Sequence, residues 1–160
     1  MIDVQKRFWQ IQRLVDKESL YLQDVAQRLF VQPVITQAWI ENLITTPEGR
    51  DSLEAFVGKF SRMQDTLIDK LLPYCLAAVG EKTASALDNL NRADRLGLLG
   101  NPDQWLAMRH LRNRLVHEYV EDKADLAAAL NLARGMAEEL LKAGQTIREF
   151  AQEKFPDKPY

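Results

Sequence analysis

Both histidines of the chain, His110 and His117, fall in one segment, MRHLRNRLVHEYVED, together with Arg109, Arg112 and Arg114. Histidine is the side chain that gains and loses a proton near neutral pH without help from its surroundings. Arginine grips a phosphate through paired N–H groups and stabilises negative charge that builds during phosphoryl chemistry. Arg112 and His117 together are therefore sufficient for cleaving a phosphodiester without a metal ion, with Asn113 able to orient either the imidazole or the phosphate. Arg109, His110 and Arg114 extend the patch as phosphate-positioning groups, and Arg92 and Arg95 lie upstream. No carboxylate or Cys/His cluster has metal-ligand spacing, so neither a metal nor another cofactor is expected. Bland alternatives stand beside each role. Arg112 has Glu118 and Asp122 as possible ion-pair partners, His117 fits an interior hydrogen bond, and Tyr119 fits a packed tyrosine with a bonded hydroxyl. Glu118 and Glu121 flank the patch, where their charge would favour a protonated His117.

Helical geometry sorts these residues. At about 100° per residue, Arg112 and Tyr119 fall on nearly one line, shared by Arg109 and Val116. Asn113 and His117 are neighbours one turn apart, on a face with His110 and Arg114. Arg112 and His117 are then separated by roughly 140° around a straight helix. Either the helix bends or a second copy completes the site, and a two-fold dimer would use the same patch twice. Met108, Leu111 and Leu115 form the apolar side.

The elements that must hold this helix are legible in apolar spacing and in the placement of seven glycines and six prolines. Phe8, Ile11, Val15, Leu22, Val25 and Leu29 predict a helix from Val4 to Gln32, interrupted by Pro33 and resumed over Val34 to Ile44. Thr46-Pro47 reads as a helix start. Leu53, Phe56, Val57, Phe60, Met63, Leu67, Leu71 and Leu72 carry that helix to Gly80, with a possible kink at Pro73. A shorter helix from Thr83 to Leu96 is closed by Gly97 and Gly100. Asn101 caps the motif helix, Pro102 to Val120, with Gln104 three residues on. Asp122 caps the last helix, to Glu153, with Leu126, Leu130, Ala133, Ala137, Leu140 and Leu141 as its core face. The FPDKPY end is expected to fray. The expectation is all-α: an antiparallel up-down bundle of four to five helices forming one domain over 1–155, with 156–160 as a short tail.

The chain has 160 residues, 46% of them apolar and 28% charged, with a net charge of −2. That describes one globular domain and argues against a globally basic nucleic-acid binder. The one cysteine, Cys75, lies in apolar LLPYCLAAV and reads as a buried thiol. The absence of a disulfide pair, of a leader in MIDVQKRFWQ and of a membrane-spanning run predicts a cytoplasmic location.

Arg112-Asn113-Arg114-Leu115-Val116-His117-Glu118-Tyr119 resembles the Arg-x4-His-x-Tyr motif of HepT-like proteins in the HEPN superfamily. The likeness extends more loosely from Leu53 to Leu141, and before Thr46 it amounts only to helical character. It implies a HEPN-like bundle of four to five helices that forms a homodimer with two motifs lining one cleft. It further implies a metal-independent endoribonuclease, the toxin of a type VII toxin–antitoxin pair. The implied partner is a minimal nucleotidyltransferase of the MntA kind, which silences the toxin by transferring AMP to the motif tyrosine. Carried onto this sequence, Arg112 and His117 are the catalytic pair, Asn113 is supportive and Tyr119 is the AMPylation site. The alternative that the bundle leaves open is a non-catalytic, substrate-binding subunit of a nucleotidyltransferase complex.

Overall fold

The structure, a computed structural model, describes residues 3–117 and 122–158, with His117 described by its backbone alone. Among the described residues the protein is an all-helical bundle without strands. The elements are α1 (Val4–Leu29), α2 (Gln37–Leu43), α3 (Pro47–Thr66), a π turn (Leu67–Leu71), α4 (Leu72–Ala78), α5 (Ala86–Arg95), α6 (Pro102–His117) and α7 (Lys123–Lys154). Because α3, the π turn and α4 are continuous, the described residues make six rods, among them the short α2 and α5, each inside a stretch that apolar spacing and turn residues assign to helix.

Side-chain oxygens start several of these helices, satisfying N–H groups that the first turn leaves unpaired. Asp3, Thr36, Thr46, Ser85 and Asp122 each accept from backbone N–H groups of the turn they begin. Asn101 also accepts from the Gln104 N–H, but with a left-handed backbone (φ 53°) that asparagine tolerates better than most residues. Gly97, at φ 70°, ends α5 as expected.

Helix α3 is central. Phe56, Phe60 and Met63 are fully buried along it, as are Leu67, Leu71 and Leu72 where the rod continues through the π turn into α4, and α3 packs against α1, α6 and α7. The expected kink at Pro73 takes the form of a π turn, in which the Leu72 N–H reaches back to the Leu67 carbonyl. Proline has no N–H to offer the carbonyl four residues before it, and its ring crowds that oxygen. A widened turn just upstream accommodates both effects without breaking the rod.

Two other stretches depart from expectation. Residues 30–36 do not resume the helix at Val34; α2 begins only at Gln37. Proline at 33 disfavours helical backbone at Gln32, so this loop's polar groups need partners elsewhere. Helix α7 supplies them: Asn131 both accepts from the Ile35 N–H (3.0 Å) and donates to its carbonyl (2.8 Å), and Arg134 donates to Gln32 and Pro33. At the other end, Phe155 does not fray. It is buried, stacks edge-on against Phe8, and its carbonyl accepts from Trp9 Nε1 at 2.9 Å. Asp157 continues the attachment by pairing with Arg13.

Cys75 is fully buried, as its surroundings in the sequence predict, and burial pushes its thiol pKa up to about 12. In the last helix Leu126, Leu130, Ala133, Ala137 and Leu140 are buried, while Leu141 is only partly covered.

Phe155 makes a quantitative test of the closure between α1 and the end of α7. Phe155→Ala removes a buried ring from an aromatic cluster and should lower unfolding free energy by about 3 kcal/mol, read as a reduced urea midpoint at unchanged slope.

Candidate functional site

Helix α6 turns its apolar side inward as expected: Trp105, Met108, Leu111 and Leu115 are buried. The polar residues around it divide into two sets. Arg109 and Arg112 lie half-buried on the flank toward α3, whereas His110, Asn113, Arg114 and Val116 are exposed. His117 is the last residue of α6, one turn beyond Asn113. Tyr119, together with Glu118 and Glu121, lies outside the described residues, so the AMPylation position and the carboxylates expected to act on His117 are not part of the described site.

The two flanking arginines are tied to the central rod. Arg112 Nη2 donates to Asp65 Oδ2 at 2.8 Å, and Arg109 Nη2 donates to Asp69 Oδ1 at 2.5 Å. Asp65 and Asp69 are four residues apart in sequence, and their partners descend from 112 to 109, so α3 and α6 run in opposite directions here. Among the described residues the carboxylate that accepts from Arg112 is Asp65, not the Asp122 that the sequence offered; Glu118 lies outside them. Asp122 instead accepts from Ala124 and Asp125 as the cap of α7. Arg112 Nη1 also donates to Asn113 Oδ1 at 2.9 Å. Asn113 thus joins the α3-facing flank to the exposed face that also carries His110 and Arg114. Of the more distant cations, Arg92 is committed to Glu81 at 3.3 Å.

These ion pairs are partly open to water. The Arg112 side chain is 26% exposed and that of Asp65 41%, so the pair contributes about 1 kcal/mol or less to stability. It fixes where the guanidinium sits more than it stabilises the fold. Beside it runs a groove of about 420 Å³ lined by Ser61, Arg62, Asp65, Asp69, Lys70 and Arg112, with Gly58 and Thr66 completing it. The Ser61 hydroxyl and Arg112 Nε are buried there without hydrogen-bond partners.

A buried carboxyl lies on the inner side of this wall. Glu18 of α1 is 8% exposed and accepts from the Thr66 hydroxyl at 3.4 Å, while that hydroxyl also donates to the Arg62 carbonyl. Burial raises the Glu18 pKa, opposed by the Thr66 hydrogen bond and by the positive charges of Arg62, Lys70 and Lys59. Sequence reading missed Glu18, Ser61, Arg62, Asp65, Asp69 and Lys70. The available signal was the polar strip of Arg62, Asp65 and Asp69 along one side of an otherwise apolar helix.

Among the described residues no group of His, Cys, Asp and Glu is placed to hold a metal ion, and no helix is long and apolar enough to cross a membrane. No family model, curated protein or solved structure matches the chain.

Glu18 predicts a particular pH dependence. An acid whose folded pKa is raised holds its proton more tightly in the folded state, so its contribution to stability falls as pH rises from the unfolded value toward the folded one. Glu18→Gln should therefore melt higher than the parent protein at neutral pH. The difference should shrink as pH drops toward and below 4.5, in paired thermal scans.

Proposed function

We propose that this chain is a HepT-like ribonuclease toxin: a metal-independent endoribonuclease that works as a homodimer and is held silent by a minimal nucleotidyltransferase partner. The observation that carries this reading is the Arg112-x4-His117-x-Tyr119 spacing at the end of α6, with Arg112 anchored by Asp65 and Asn113. In this reading Arg112 holds the scissile phosphate and stabilises the extra charge of the transition state. His117 moves the proton of the attacking 2′-hydroxyl or of the leaving oxygen. Asn113 links the two groups. The exposed face of α6, with His110, Asn113 and Arg114, is the surface through which two copies bring their motifs together, because five residues of helix set Arg112 and His117 roughly 140° apart. AMP on Tyr119 would add bulk and negative charge against the arginines and repel RNA. Catalysis and silencing in the cytoplasm complete the reading.

The test is direct. Purified dimer should cleave single-stranded RNA in the presence of EDTA. Arg112→Ala and His117→Ala should each lower the rate by about a hundredfold or more while the far-ultraviolet circular dichroism is retained. RNA left intact by the parent protein, or cut equally well by the His117→Ala protein, rejects the nuclease in favour of the non-catalytic subunit. Co-expression with a minimal nucleotidyltransferase should add the mass of AMP to the parent protein and not to Tyr119→Phe.

A further inference from the structure

The groove between the central rod and α6 has chemistry that the ion pairs leave unused. Nε and Nη2 form one edge of an arginine side chain, suited to two parallel hydrogen bonds. In Arg112, Nη2 donates to Asp65 while Nε is buried and unpartnered, so half of that edge is idle. A guanidinium Nε–H only donates, so whatever satisfies it must be an acceptor. The Ser61 hydroxyl, 7% exposed, is a second buried group without a partner on the same groove. Arg62 and Lys70 line it as well and form no ion pair among the described residues. The lining thus holds three cations against two carboxylates, Asp65 and Asp69, both already on arginines. Leaving buried donors unmatched costs on the order of 1–3 kcal/mol each, which a ligand bearing several acceptor oxygens would recover.

We propose that this groove is a phosphate subsite, in which a phosphate of the RNA strand takes the Nε–Nη2 edge of Arg112 with Ser61, Arg62 and Lys70, displacing Asp65 as the internal counter-ion. Asp65 and Asp69 act as stand-ins for phosphate: carboxylates hold the arginines in a phosphate-ready orientation and oppose binding by their charge. Because each pair is partly exposed and weak, an incoming phosphate can exchange for the carboxylate. The identification of the phosphate as one belonging to RNA rests on the nuclease reading; the anion chemistry of the groove does not.

Two measurements on the full chain decide this. Fluorescence anisotropy with an uncleavable 2′-O-methyl oligoribonucleotide, across a salt series, compares the parent with R62A/K70A and D65N/D69N. R62A/K70A should bind about tenfold more weakly, with the slope of log affinity against log salt reduced by roughly 0.7, the value for one phosphate contact on a single strand. D65N/D69N should bind more tightly than the parent. In parallel, inorganic tripolyphosphate is titrated while the arginine Nε–Hε signals are followed by NMR, that of Arg112 being assigned by its loss in R112K. The Arg112 signal should move in the parent and not in R62A/K70A. An oligonucleotide bound equally by all three proteins overturns the groove and leaves the nuclease reading standing. An Arg112 shift with tripolyphosphate, but no oligonucleotide binding, supports the anion groove and removes RNA as its ligand. No Arg112 shift, or a D65N/D69N protein that folds normally and binds no better than the parent, overturns the proposal.

Discussion

The bundle depends on one continuous rod, residues 47–78, having to bury an apolar stripe and present a polar edge along its whole length. The stripe from Phe56 to Leu76 is the inner wall against which α1, α6 and α7 close. The polar edge carries Ser61, Arg62, Asp65 and Asp69, and it determines where the arginines of α6 come to rest. A helix can serve both faces only while its turns stay in phase. Pro73 would break that phase, and the π turn, which itself holds Asp69, absorbs the disturbance just upstream of the proline.

Packing around the rod is tight where it matters for α6. Helix α7 has glycine at 144, where a Cβ would meet Val15 Cγ1 at 3.3 Å and Met63 Cε at 3.6 Å. That close approach lets α7 lie against α1 and α3 together, with Gln12 donating to the Gly144 carbonyl. Helix α6 rests on α3 and α7. Its direction against the rod is thus set by buried leucines, and the arginine–aspartate pairs register it rather than hold it. Small energies at partly exposed ion pairs are then enough to place a guanidinium, because the scaffold has already removed most of its freedom.

Much of this architecture was legible in the sequence, since caps and apolar spacing are local signals. Thr46 and Asp122 start helices where expected, and Met108, Leu111 and Leu115 face inward. What was not legible depends on contacts between distant segments. Nothing near Arg112 announces Asp65, which lies 47 residues away, and the choice of Asp65 over Asp122 follows from the register of two helices. Glu18 carries no local mark of burial, because its partner Thr66 lies 48 residues away. Local spacing makes Pro33 a pause within a helix, whereas Asn131 and Arg134 hold its loop with hydrogen bonds from across the bundle. Local composition makes Phe155 part of a loose end, because its partners, Phe8 and Trp9, lie at the opposite end of the sequence. The motif residues are legible by type and spacing, and helical geometry already parts the Arg109–Arg112 line from the Asn113 face; which of the two meets α3 comes only with the fold.

The π turn has a further consequence for how this protein can vary. Such a turn is a helix that holds one residue more than its regular path requires. Removing a single residue between Leu67 and Leu71 would restore regular α-helix and leave the stripe of α4 nearly in phase with that of α3, because the widened turn carries its extra residue without adding a full turn-step of about 100°. A deletion in the regular turns of the rod has no such slack and would swing one side by about 100° relative to the other. The segment therefore works as a take-up joint: length can change by one residue there while the faces on either side keep their directions.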